Sequence, residues 1–393
     1  LTLSGSDISV SNLTSDNLIN MSSSGITLVT GGTIYAPVIN SSASSITIDS
    51  GSIYVKTLEY SGSGTLTASR INATTITIGD GATVTHIVNK TGLNITAANL
   101  TIETGAKIDV TGLGYLGATA SNANGDGPGG GDGGVGWQGG QGGGHGGGGG
   151  NADVNPNTLG STYGSLTKPV DMGSGGGAGS GTDGGNGGGK VFLNISDTLN
   201  VTGEIQAGGN AGAKSSISGG GGSGGSIYIT TTNFVGNGTT NASGGAAGYV
   251  GSSLWGGGGG GGGRISVYYS TKTYAGEMQA YGGPSDAAEV GGAGTIYLKQ
   301  DSQTNFDLII DNGVNIAQSN TSLGNNNYTI DNLTINRAMV NITGNLIVNN
   351  DTLTLDQSAL AVSLGNFTVG TYGSNKLSLS SSTLTASSTN LTV

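Results

Sequence analysis

Asparagine in the pattern Asn-x-Ser/Thr carries more chemistry by its spacing than any other residue type here. Eighteen such sequons occur, at Asn12, Asn20, Asn40, Asn72, Asn89, Asn94, Asn99, Asn194, Asn200, Asn237, Asn241, Asn320, Asn327, Asn332, Asn341, Asn350, Asn366 and Asn390. None has Pro in the middle position, and the number is about twice what random placement of Asn, Ser and Thr would give. In a chain that meets a glycosylation machinery, each is an acceptor for an N-linked glycan. Most lie toward the two ends, where polar strand faces and turns expose them.

The other reactive types are sparse. Polysaccharide lyases and hydrolases need carboxylates converging on one face, and this chain spreads 18 Asp and 5 Glu thinly. The nearest groupings, Asp126 with Asp132 and then Asp301, Asp307 and Asp311, read as solvated turn residues. The only histidines, His86 and His145, stand far apart, and there is no cysteine, so neither a Ser-His-Asp triad nor a thiolate site is expected. Residues 221–225 (Gly-Gly-Ser-Gly-Gly) match a nucleophile elbow only because they sit in a glycine tract, and at 184–190 Val191 stands where a P-loop needs Ser or Thr. The chain therefore reads as a non-enzyme.

Calcium is the one cofactor the spacing admits. Asp126, Asp132 and Asp183, with Asp171, sit in turns rich in glycine carbonyls, a donor set that suits a hard cation. Residues 178–183 (Ala-Gly-Ser-Gly-Thr-Asp) come within one residue of a calcium-binding nonapeptide start, without its nine-residue repetition. Thr-x-Thr pairs at 65/67, 75/77 and 83/85 raise an ice-binding reading, but their spacing is uneven and they stop after three.

The elements that must position these residues are strands. Residues 46–49 (Ile-Thr-Ile-Asp), 74–78, 100–103, 328–335 and 353–356 alternate apolar side chains with Thr, Ser or Asn, and Gly, Asn or Asp marks the turns. Almost no α-helix is expected. The 81 glycines fall unevenly, with 11 in residues 1–111, 64 in 112–300 and 6 in 301–393. This divides the chain into N-terminal strands, a glycine-rich repeat region and C-terminal strands.

In the middle region one unit recurs: Gly189-Lys-Val-Phe-Leu, Gly225-Ser-Ile-Tyr-Ile, Gly263-Arg-Ile-Ser-Val and Gly294-Thr-Ile-Tyr-Leu. A second strand follows at Glu204, Thr239 and Glu277, and residues 105–112 look like an earlier copy of it. No unit can bury its apolar face alone, so neighbours must stack. The fold class expected is all-β, a parallel β-helix (β-solenoid) with ordered glycine-rich loop insertions.

The tracts 129–150, 173–189, 219–225 and 256–263 have the composition of linkers. Their recurrence just before an apolar strand, with Trp137, His145 and Trp255 as anchors, favours ordered, laterally packed loops. Residues 1–14 and 377–393 echo each other and lack a polar cap, which marks them as surfaces for head-to-tail stacking of copies. The chain opens on Leu1 without a basic or apolar leader, as a processed chain or a segment of a longer one would. A net charge of −11 with only 12 Lys and Arg argues against nucleic acid, and no apolar run is long enough to span a membrane as a helix.

From Asn99 through the glycine tracts to Leu298, the sequence resembles the glycine-rich repeat regions of very large microbial surface and adhesin-like β-solenoid proteins. The resemblance implies an extracellular, cell-surface, structural role and brings no catalytic residue. The reading that follows is a glycosylated subunit of a surface fibre, filament or adhesin, whose partners are copies of itself and its N-linked glycans. The competing classes are a carbohydrate-active β-helix enzyme and a carbohydrate-binding surface module.

Overall fold

The computed structural model describes residues 1–393 apart from 6, 90, 120–122, 153–159, 249–254, 350–351, 365, 371–375, 388–389 and 393. The fold is all-β, with no helix among the described residues. Alternating sequence becomes alternating burial: Ser45–Ile48 and Thr75–Ile78 each turn their isoleucines inward and their Ser and Thr outward.

Among the described residues every strand pairing but one is parallel, and each pass of the chain lays its strands beside those of the pass before. Three inward columns result. The first aligns Ile8, Ile26, Ile46, Leu66, Val84, Ile108, Ile205, Thr240 and Met278. The second runs from Leu13 through Ile34, Ile53, Ile71, Ile95, Leu193, Ile229 and Val267 to Leu298. The third contains Ile19, Ile39, Leu58, Ile76, Leu100, Leu199 and Phe234. The repeat read from the sequence is the register itself: Lys190 pairs with Ser226, Ser226 with Arg264 and Arg264 with Thr295, at steps of 36, 38 and 31 residues. Lys107 pairs with Glu204, so residues 105–112 do precede that series in the stack.

A recurrent corner joins the third column to the first. Ser23, Ala43, Gly62, Gly81 and Gly105 all take positive φ there, so the site accepts non-glycine residues at the strain of a left-handed backbone. Ser24 and Ser44 follow the first two, each buried with its hydroxyl on the carbonyl two residues back, and the Ser24 amide donates to the Ser44 hydroxyl. Arg337, Gln357 and Ser381 repeat the corner in the C-terminal part, with Ser358 and Ser382 in the serine role.

The exception to parallel pairing lies between Thr295–Gln300 and Asp307–Asp311, which run antiparallel. Ile296 and Leu298 point into the first core, whereas Tyr297 and the Leu308 opposite it belong to a second. The two cores thus occupy opposite faces of one sheet. Beyond that point three further parallel columns enclose the second core: Asp307–Asp311 onward to Lys376–Ser380, Asn320–Asn325 to Thr383–Ser387, and Tyr328–Ile330 to Asn390–Thr392.

The glycine tracts meet beside the first stack, and their backbones bond one another with a period of three. Gly219, Gly222 and Gly225 donate to Ala213, Asn210 and Ala207; Gly220 and Ser223 to Gly177 and Ser174; Gly221 and Gly224 to Gly258 and Gly261. Residues 258–263 repeat the scheme toward three other segments. Three residues per turn, with every donor directed outward to a neighbour, is polyproline-II geometry satisfied laterally instead of by water. The reason for glycine is space. A Cβ on Gly220, Gly221 or Gly222 would lie 1.9, 2.1 and 2.1 Å from a neighbouring carbonyl oxygen, which instead receives the Cα–H.

Candidate functional site

The sequon asparagines come to the surface. Asn12, Asn40, Asn89, Asn194, Asn237, Asn320, Asn327, Asn332, Asn341 and Asn366 are exposed, and Asn20, Asn72, Asn94, Asn99, Asn200 and Asn241 are half-buried. Asn350 lies outside the described residues, and of the strand residue Asn390 only the backbone is described. The amide nitrogen that would carry a sugar is engaged at Asn241, which donates to Gln206 at 2.9 Å, and at Asn332, which donates to Asp307 at 2.6 Å. Parallel register sets Asn20 directly beside Asn40 and Asn366 beside Asn390.

Asp126, Asp132 and Asp183 are not gathered: no group of three His, Cys, Asp or Glu that could hold a metal ion occurs among the described residues. The glycine-rich carbonyls expected to serve a cation are taken by the bundle. The carbonyls of Asp126, Asp132 and Asp183 themselves accept amides from Gly175, Gln141 and Ala213 at 2.9 Å each, and that of Asp171 accepts the Ser226 hydroxyl at 2.6 Å. Asp301 accepts the Ser270 hydroxyl, while Asp307 and Asp311 accept Asn332 and Asn336, so the trio braces polar side chains on adjacent strands. The Thr pairs at 65/67 and 83/85 stack on one face, and 75/77 lies on another.

Of the expected anchors, His145 is fully buried in the bundle, whereas Trp137 is 69% exposed and leans on Trp255 at 5.3 Å between ring centroids. His145 Nδ1 lies 2.9 Å from the Gly224 carbonyl and must therefore carry the proton, leaving Nε2 unpartnered. Burial, with the nearby Arg264 charge, pushes its pKa down to about 3, so the ring is neutral. Burial likewise lowers His86, whose Nδ1 donates to the Ile87 carbonyl at 2.7 Å.

His145 meets Tyr163 with the rings tilted at 42° and centroids 4.7 Å apart, and Tyr163 lies near the start of a strap, from residue 160, laid across the outer side of the second column. Its carbonyls are held from the sheet: Arg264 Nε donates to Tyr163 at 2.9 Å, Ser266 to Thr167 at 2.9 Å, Ser226 to Asp171 at 2.6 Å and Lys190 to Val170 at 2.8 Å. These donors are mostly the second residues of the repeated units, Lys190, Ser226 and Arg264. That position varies from unit to unit, as does the fourth, which is the sequence signal for an outward-facing role. A groove of about 360 Å³ opens at one end of the strap, beside Arg70 and Lys190. A second, of about 620 Å³, opens at the other, between the strap and residues 322–328, with Arg264 in its wall. Arg264 went unnoticed in the sequence because nothing local separates it from a surface cation.

The described strands nearest each end are paired on one side only. Thr2–Ser4 and Asp7–Thr14 face only the following pass, and Lys376–Ser380, Thr383–Ser387 and Asn390–Thr392 only the preceding one. Leu1 and Val10 are exposed at the first of these edges, at 45% and 36%. No helix of the described chain is long and apolar enough to cross a membrane. No family model, characterised protein or solved structure matches the chain.

Proposed function

We propose that this chain is a β-solenoid subunit of an extracellular surface fibre or adhesin, built from parallel coils, coated by N-linked glycans and joined head to tail to copies of itself. Its role is mechanical, not catalytic. The observation that carries the reading is that the described strands nearest the two ends are each paired on one side only, so that each ladder can accept a further strand. The winding is compatible with such joining. Where the strand direction reverses at 300–307, the core also changes face. The two changes cancel, so both stacks wind with the same hand and a second copy can continue the parallel ladder.

A heterologous contact of this kind does not close on itself and yields filaments. The exposure of the sequon asparagines supports a glycan coat, and the resemblance to microbial surface repeats supports the location. Electron microscopy of native material, with intact mass on the same sample, tests the reading. Filaments with a mass above the 38.2 kDa of the polypeptide are expected. Discrete monomers at the bare mass would overturn it.

A further inference from the structure

Arg264 is an arginine in an unusual position. It is 3% exposed and makes two hydrogen bonds, from Nε to the Tyr163 carbonyl and from Nη1 to the Thr295 hydroxyl at 3.1 Å. No carboxylate forms an ion pair with it, although Asp171 lies near enough to favour its charge; the single ion pair among the described residues joins Lys107 to Asp109. A buried guanidinium without a contacting counter-anion is expensive unless its remaining donors reach water or a ligand. They do reach open space. None of its nitrogens is both sealed from solvent and unpartnered, although five N–H groups share two protein acceptors. That space is the 620 Å³ groove.

The rest of the groove is uncharged. Phe306 and Tyr328 supply aromatic surface, and Thr162, Ser165, Asn326 and Asn327 supply hydroxyls and amides, with no Asp or Glu in the wall. Phe306 is steadied by Tyr297 at 4.6 Å, and the Tyr328 hydroxyl is tied to the Leu323 carbonyl at 2.7 Å, so both rings are fixed before any ligand arrives. Burial lowers Arg264 only to about 10, so it keeps its charge at neutral pH. In a chain of net charge −11 this is a fixed positive point in a neutral cleft.

We propose that the groove binds an acidic saccharide, the carboxylate of a uronic or sialic acid meeting the free donors of Arg264. The guanidinium fork suits a planar carboxylate. The aromatic rings suit the apolar face of a pyranose, and the amides and hydroxyls suit its ring hydroxyls. The site lies within one chain and does not depend on the fibre reading: it would survive if the protein were a monomer.

The test is calorimetric titration of the full chain, made in a host that leaves Asn327 unmodified, with tetragalacturonate and with sialyllactose, each beside its methyl ester. One acid form should bind, and its ester should bind roughly tenfold or more weakly, since a charge-assisted contact is lost. Binding of neither acid, or equal binding of acid and ester, would overturn the proposal. Arg264→Lys should weaken the acid by roughly tenfold; unchanged affinity would also overturn it. If that variant does not fold, Asn326→Asp decides, because Asn326 is exposed and the change sets a carboxylate in the groove. It should weaken the acid form and leave the melting temperature unchanged. Equal affinity of this variant and the parent for the acid would count against the site.

Discussion

Replacing Gly260 by alanine tests whether the glycine tracts are held by close packing or merely lie beside the stack. Its amide donates to the Gly245 carbonyl at 3.0 Å, and its carbonyl accepts the Gly283 amide at 2.7 Å. An added Cβ would sit 2.1 Å from the Gly222 oxygen and 2.6 Å from its carbon. Those atoms are backbone, so relief requires one whole segment to move by about an ångström, which stretches both hydrogen bonds past their useful range. Overpacking costs about 1–3 kcal/mol, and each lost bond about 0.5–1.5 kcal/mol, for a total of roughly 2–6 kcal/mol. Gly208 is the control, because its nearest neighbours to an added Cβ are at 3.5 Å or more and its φ is not positive. There alanine should stabilise by about 0.4–1 kcal/mol through the unfolded chain. Hydrogen exchange read on peptides covering 256–263 and 280–294 should show protection falling by about 30-fold or more in Gly260→Ala, at about 1.4 kcal/mol per tenfold. Equal protection in Gly260→Ala and Gly208→Ala would refute the packing argument.

Three further outcomes are expected. The double variant Leu1→Lys and Val10→Lys, which charges the exposed end of the first core where Val10 stands in register with Leu28, should abolish filaments in electron micrographs while leaving the circular dichroism unchanged; filaments persisting would place the joint elsewhere. Glycopeptide mass spectrometry of the folded chain should find glycan at Asn20 or Asn40 but not at both, because parallel register holds them about 4.8 Å apart; a doubly occupied molecule would falsify the register. His145 binds a proton near pH 6.5 when unfolded and only near about 3 when folded, so its contribution is complete above pH 6.5 and erodes as the pH falls toward 3. His145→Gln should flatten that part of the stability–pH curve measured by urea unfolding, and an identical slope would show that His145 does not set it.

What the sequence revealed and what it hid follow from which interactions are local in the repeat. Stacking like on like demands that Lys190, Ser226, Arg264 and Thr295 share a register, so the 36-, 38- and 31-residue steps were legible before any coordinates. The serine corners were harder, since Ser24, Ser44 and Ser358 look like ordinary turn residues until the hydroxyl meets the neighbouring pass. The exchange of core faces left no mark of its own. Thr295–Gln300 is buried over its first four residues, yet its Ile-Tyr-Leu matches the apolar triplets at 191–193 and 227–229, where the core does not change face. Read only as a fourth copy of the repeat, that triplet concealed the reversal after it. The glycine bundle could not be read from any single tract, because many of its hydrogen bonds join segments distant in sequence, as Gly143 with Gly221 and Gly261 with Gly143.

Function is hidden for a related reason. The inward columns must repeat for the stack to close, whereas the outward positions carry no such demand, and it is there that Lys190, Ser226, Arg264 and Thr295 differ. The chance of a site is highest where the outward side of one strand meets a second element that breaks the repeat. Here the strap from residue 160 and the second core converge on Arg264, Tyr297 and Phe306. The same change of face that continues the stack thus walls the groove, and a variant that straightened the stack would remove the binding site along with the bend.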